Sequence, residues 1–291
     1  MKKSIFSMAL MAMTIAFVGC KSDEPSNGSQ DGGDYQLDSI ICYEADGTKE
    51  HKTILDYNYG NDQLILTIYG YTWENNQWIE NSKNVITCTG KITNMTQGCY
   101  NFLSYEPDPI HSAIIGWSKV SSISQDRWQK QERHETTYTI DANGFLTETD
   151  SQSGNEYGTN KGKTTFTSND QGQPISSEYY ETDYNGDWKI RYKSKYTYNN
   201  DGKLILEMTS VDYFGVNDWS EFQKEVEISY NDNQVEVTHF DGGWWYKAYK
   251  YIYAYDGHGN VSTCKNYYGS DQQEGVWDFG GTDEYYYSKV K

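Results

Sequence analysis

Five tryptophans, Trp188, Trp219, Trp244, Trp245 and Trp277, follow closely on clusters of Asn, Gly and Asp. An indole presents a flat apolar face with a polar tip, the chemistry that stacks on a sugar ring. With 28 Tyr and 9 Trp in the chain, an aromatic platform at a rim or in a lumen has material to draw on. The competing reading is scaffold. Aromatics at alternate strand positions stabilise a sheet through cross-strand pairs, and a Trp behind a turn caps a strand end; residue by residue this reading is the favoured one.

Four cysteines lie in the body of the chain, at 42, 88, 99 and 264. In an exported chain Cys88 could pair with Cys99 across a turn expected at 94–98, and Cys42 with Cys264 to join the first and last strands; free thiols are the alternative. His51, His111, His134, His239 and His258 are scattered and read as surface or turn residues rather than bases. The sequence contains no Gly-x-Ser-x-Gly, His-Glu-x-x-His or Gly-x-x-x-x-Gly-Lys motif. Among 42 acidic residues no pair can be singled out as glycosidase carboxylates. The Asp/Asn/Gly turns offer oxygen ligands of the kind Ca²⁺ takes, but none adds the bidentate Glu of an EF-hand loop, and turn chemistry explains the same residues. The expectation is a noncatalytic protein with no cofactor and no metal site.

The chain begins with a leader. Lys2 and Lys3 precede an apolar stretch from Ile5 to Val18 that is too short to span a bilayer as a helix. Phe17-Val18-Gly19-Cys20 resembles the lipobox of lipoprotein precursors, with Phe17 where the usual pattern has Leu. That resemblance implies removal of 1–19 and acylation of Cys20, where more than one chain gives stable anchorage. Lys21-Ser22-Asp23-Glu24 resembles the acidic signal that sends Bacteroidetes lipoproteins to the outer face of the outer membrane; the periplasmic face is the alternative. Residues 20–34 read as lipidated Cys and polar, flexible linker, and residues 35–291 as one large β domain.

Charge narrows the partners. The formal charge of −18 becomes −20 once 1–19 and its two lysines are removed. Nucleic acid and anionic lipid heads are disfavoured, since both are held by clustered Lys and Arg.

The elements that must position these side chains come from an internal repeat. Gly144, Gly172, Gly202 and Gly259 mark a period near 30 residues, with altered copies at Asp62 and Asn233. Tyr196-Thr197-Tyr198-Asn199-Asn200-Asp201-Gly202-Lys203-Leu204 is the best copy, and Tyr253 to Val261 repeats it. Each reads as strand, four-residue turn, strand, with Gly taking the positive φ of the last turn position. A second turn and a Trp follow 16 to 18 residues later in most units, so each unit is a pair of long strands. From Trp188 to Tyr198 the alternation puts Trp188, Ile190, Tyr192, Ser194, Tyr196 and Tyr198 on one face and Lys189, Arg191, Lys193, Lys195 and Thr197 on the other, one face covered and one wet, without saying which.

The expected fold is all-β, an up-and-down antiparallel meander of about 14–17 strands. It closes or nearly closes into a barrel, with an open single-layer sheet as the alternative. No helix is expected after Cys20, and residues 88–125, with Pro107 and Pro109, read as a loop or irregular edge. A membrane-spanning barrel is disfavoured: of the 36% hydrophobic residues, 16 percentage points are aromatic, too few aliphatics for a lipid-facing band.

The Tyr-x-Tyr-Asp-x-x-Gly-x-Leu units resemble those of uncharacterised Bacteroidetes surface lipoproteins with a porin-like β fold, over about residues 55–290. More loosely they resemble the YD repeats of Rhs-type shell proteins, though Asn, Lys or Thr stands here where those carry Arg. The lipoprotein resemblance implies a fold and a location but no activity. Two functions are carried forward: a cell-surface protein binding a glycan or other extracellular ligand, and a structural or adhesion module docking a protein partner. A hydrolase with an unrecognised site stands third.

Overall fold

The computed structural model describes residues 35–126, 131–155, 158–182, 186–212, 218–241, 244–269 and 275–289, with only the backbone of 241 and 244–247. The leader, Cys20 and the linker lie outside the described residues.

Sixteen strands follow one another along the chain. The first eight are β1 (Tyr35–Glu44), β2 (Lys49–Tyr59), β3 (Gln63–Glu74), β4 (Gln77–Lys91), β5 (Trp117–Asp126), β6 (Gln131–Ile140), β7 (Leu146–Asn155) and β8 (Gly158–Ser168). The second eight are β9 (Pro174–Thr182), β10 (Trp188–Tyr198), β11 (Leu204–Val211), β12 (Gln223–Asn231), β13 (Gln234–Asp241), β14 (Trp244–Tyr255), β15 (Val261–Gly269) and β16 (Trp277–Lys289). Each pairs antiparallel with its sequence neighbours, and β1 pairs with β16 from Tyr35↔Lys289 to Glu44↔Gly281, closing the barrel. Closure gives every edge strand a partner, so the meander is the closed barrel and not the open sheet.

In an up-and-down barrel successive connections alternate between rims. The repeat turns therefore share one rim, and the second turns, most of them preceding a Trp, share the other. At the turn rim Asp141, Asn169, Asn199 and Asp256 each accept two backbone N–H groups, from two and four residues on, at 2.8 to 3.1 Å. Gly144, Gly172, Gly202 and Gly259 sit at φ between 74° and 84°, as the repeat requires. The first side-chain oxygen of each turn is thus engaged by its own backbone.

Residues 88–125 depart from expectation. Strand β4 runs to Lys91, β5 resumes at Trp117, and between them lie two short helices, α1 (Gln97–Leu103) and α2 (Pro109–Ser112). Thr96 caps α1 by accepting from Cys99 N at 3.2 Å; Asp108 caps α2, and Pro109 occupies its first turn, where no donor is needed. Helices this short leave no amphipathic period to read. The insertion is a plug across the lumen rather than a sheet edge. Cys99, Leu103, Ile114 and Ile115 are buried against β1 to β7, while Phe102 and Tyr105 pack against a second cluster built on β11 to β15. Phe102 meets Phe166 and Tyr196 edge-on at 5.8 and 4.8 Å. Asn94 donates to Asp141 O, Thr96 N to Gly144 O, and Asn101 to Gly202 O, so the plug is fastened to the repeat turns.

Register sorts the walls. The outer face carries ion pairs Lys119–Glu135 (2.8 Å), Lys163–Glu148 (3.1 Å), Lys193–Glu178 (3.8 Å) and Lys250–Glu236 (2.8 Å). These four pairs set charge at intervals round the outer face. One bulge corrects the alternation expected for β10. The register shifts between Ile190 and Tyr192, so Trp188 and Ile190 share the outer face of Tyr180, and only Tyr192, Ser194, Tyr196 and Tyr198 face inward.

Candidate functional site in the lumen

Among the described side chains, Trp188, Trp219 and Trp277 do not form one site. Trp188 is 45% exposed on the outer face. Trp219, in the β11–β12 connection, has one ring face covered by Lys193 Nζ at 4.2 Å, and Trp277 at the start of β16 is covered by Lys250 Nζ at 4.6 Å. In these cation–π contacts lysines of the outer face cover one face of each indole. Trp244 and Trp245 begin β14, and their side chains lie outside the described residues. The tryptophans therefore share a rim by topology and are spread round it. Trp73 and Trp78, paired edge-on at 4.9 Å across β3 and β4, belong to the same rim.

The four cysteines are free thiols. The expected joint between first and last strands fails on geometry. Cys42 in β1 and Cys264 in β15 both pair with Asp283 of β16, from opposite sides. Two strand spacings, roughly 9.6 Å, separate their Cα atoms, beyond the limit of about 7 Å for a disulfide. Cys88 and Cys99 lie in one core cluster without a bond between them. Burial pushes both thiols up to about 12, so neither is a nucleophile.

What the barrel does bring together is a tyrosine wall above the plug. Tyr192 of β10 and Tyr249 of β14 face inward, near mid-strand, yet are 44% and 39% exposed. Tyr192 lies 5.6 Å from Tyr179, and Tyr249 meets Tyr268 edge-on at 5.7 Å. His239 and Tyr251 continue the second patch at 5.8 Å. Exposure of inward side chains at that depth means water enters the lumen there.

Carboxylates and hydroxyls complete the floor. Glu106, on the plug, accepts from Tyr253 OH at 2.7 Å and stands 3.8 Å from His239 Nε2. Burial raises the Glu106 carboxyl, the Tyr253 bond opposing, and draws His239 down to about 4. Burial also raises Asp283, which accepts from Asn266 Nδ2 at 3.2 Å, and Glu207, beside Ser194 and Tyr196. Such a surface offers ring faces for stacking and oxygens that accept from hydroxyl donors. The alternation from Tyr192 onward was readable in sequence, and the register shows which of its two faces points inward. Glu106 was not, because nothing local shows that 92–116 folds back into the barrel.

No protein-family model matches the sequence, and no curated protein is similar to it. Among solved structures the chain is similar to a porin-like protein from Bacteroides uniformis, at 13% identity and a TM-score of 0.32 over 87% of this chain and 98% of that one. It is also similar to a chain of a TcdB2–TccC3–Cdc42 assembly, at 11% identity and a TM-score of 0.20, over 84% of this chain and 16% of that chain. Neither likeness assigns an activity.

Proposed function

We propose that this chain is a noncatalytic envelope lipoprotein, anchored through Cys20 in the outer membrane and facing the exterior, whose lumen binds a glycan. The observation that carries the reading is the exposure of Tyr192 and Tyr249 inside a closed barrel. Their rings can stack on sugar faces, while Glu106 and Asp283 accept from sugar hydroxyls. The outer ion pairs support a barrel that stands in water and is held to the membrane by lipid. The docking-module alternative has lost one support, since closure leaves none of the sixteen strands with an unpaired edge.

The test is a glycan array probed with soluble residues 35–291, with Tyr192→Ala/Tyr249→Ala beside Trp188→Ala/Trp219→Ala/Trp277→Ala. The lumen variant should lose about tenfold or more in affinity while the rim variant keeps it. Loss in the rim variant alone, or no binding by folded wild type, contradicts the lumen reading.

The Glu106–His239 contact favours hydrolysis as the second reading. It predicts cleavage of a bound glycan that Glu106→Gln abolishes, whereas a binding protein returns the glycan intact.

A further inference from the structure

An even number of strands returns the chain to the rim it left. Tyr35, the first residue of β1, pairs with Lys289, the last of β16. The plug enters between β4 and β5 at that same rim and is fastened there to the turns of Gly144 and Gly202. The anchor path, both strand ends and the closed floor therefore lie at one end. Tyr192 and Tyr249 are reached from the other, beside the tryptophans.

We propose that the barrel stands on the membrane with its plugged rim down and its water-filled mouth away from the bilayer. This rests on the lipid-anchored reading. Residues 21–34 separate Cys20 from Tyr35 in the sequence, and Tyr35 begins β1 at the plugged rim. An eleven-residue strand such as β10, tilted by about 40°, makes the wall roughly 28 Å tall. The rim at which the chain enters the barrel is therefore the near one, and the tryptophan rim stands a wall's height farther off. The turn rim presents Asp170, Asn200, Asp201 and Asp232, all exposed; they keep that rim hydrated above the lipid rather than inserted in it. The lumen then takes its ligand from the medium, and the plug lies between that ligand and the membrane.

Energy transfer to the bilayer tests the orientation in the full acylated protein. A donor dye is placed at Asn200→Cys on the turn rim or at Gln77→Cys on the tryptophan rim, both exposed positions, in a Cys42→Ser background; Cys88, Cys99 and Cys264 are shielded by burial. In vesicles carrying acceptor-labelled lipid, a height difference of roughly 28 Å should give at least about twofold more transfer from position 200 than from position 77. Equal or reversed transfer from protein that floats with the vesicles overturns the orientation alone. Protein that does not float, with Cys20 found unacylated by intact mass, overturns the anchoring and the orientation with it.

Discussion

At the scale of single residues, the repeat glycines have two separable jobs. Gly144 needs a positive φ, and a Cβ there would also overlap the Asn94 carbonyl of the plug; Gly259 has a like φ with open space around it. Gly259→Ala should cost about 1–2 kcal/mol for the backbone alone, and Gly144→Ala about 1–3 kcal/mol more for overpacking, measured by urea unfolding. His239 supplies a pH dependence. Burial holds its folded value to about 4, against about 6.5 in the unfolded chain. Because the folded value is depressed, the unfolded state takes up the proton first. The resulting stability is complete above pH 6.5 and is lost as pH falls from 6.5 toward 4. Over that window wild type should lose stability faster than His239→Gln, by at most about 1.4 kcal/mol per pH unit. Parallel curves for the two proteins would remove this account of His239.

At the scale of elements, the plug joins two wall clusters that Tyr285 of β16 also bridges. Phe102 touches both clusters, so Phe102→Ala should cost about 3–5 kcal/mol, more than truncating an exposed outer residue such as Ile123. Thermal and urea unfolding of the two variants check the ranking. The repeat hairpins were legible in sequence because their chemistry is local: an Asn or Asp that binds its own backbone, a Gly at positive φ, alternation between turns. The plug was not, since Thr96 and Asp108 cap helices of only 7 and 4 residues and their burial depends on strands far along the chain. The bulge that turns Trp188 outward was hidden for a related reason. A one-residue shift is set by pairing with β9, and it reverses every side chain before it. Turn spacing put Trp219 at the start of a strand, whereas it lies in the β11–β12 connection, and the lysines over Trp219 and Trp277 come from other strands, out of reach of a local reading.

At the scale of the whole molecule, closure decides how the barrel can be used. Closure depends on β16, which pairs with both β1 and β15. Deleting Trp277–Lys289 should leave two unpaired edges and convert a discrete species into oligomers or aggregate on size exclusion. The central claim is that water fills the lumen down to the plug while the walls stay closed. Tyrosine nitration with peptide mapping of folded residues 35–291 measures it most directly. Tyr192 and Tyr249 should react at rates typical of open tyrosines, while Tyr138 and Tyr253, 6% and 4% exposed, stay protected. If Tyr192 and Tyr249 prove as protected as Tyr253, the lumen is filled and the cup does not exist.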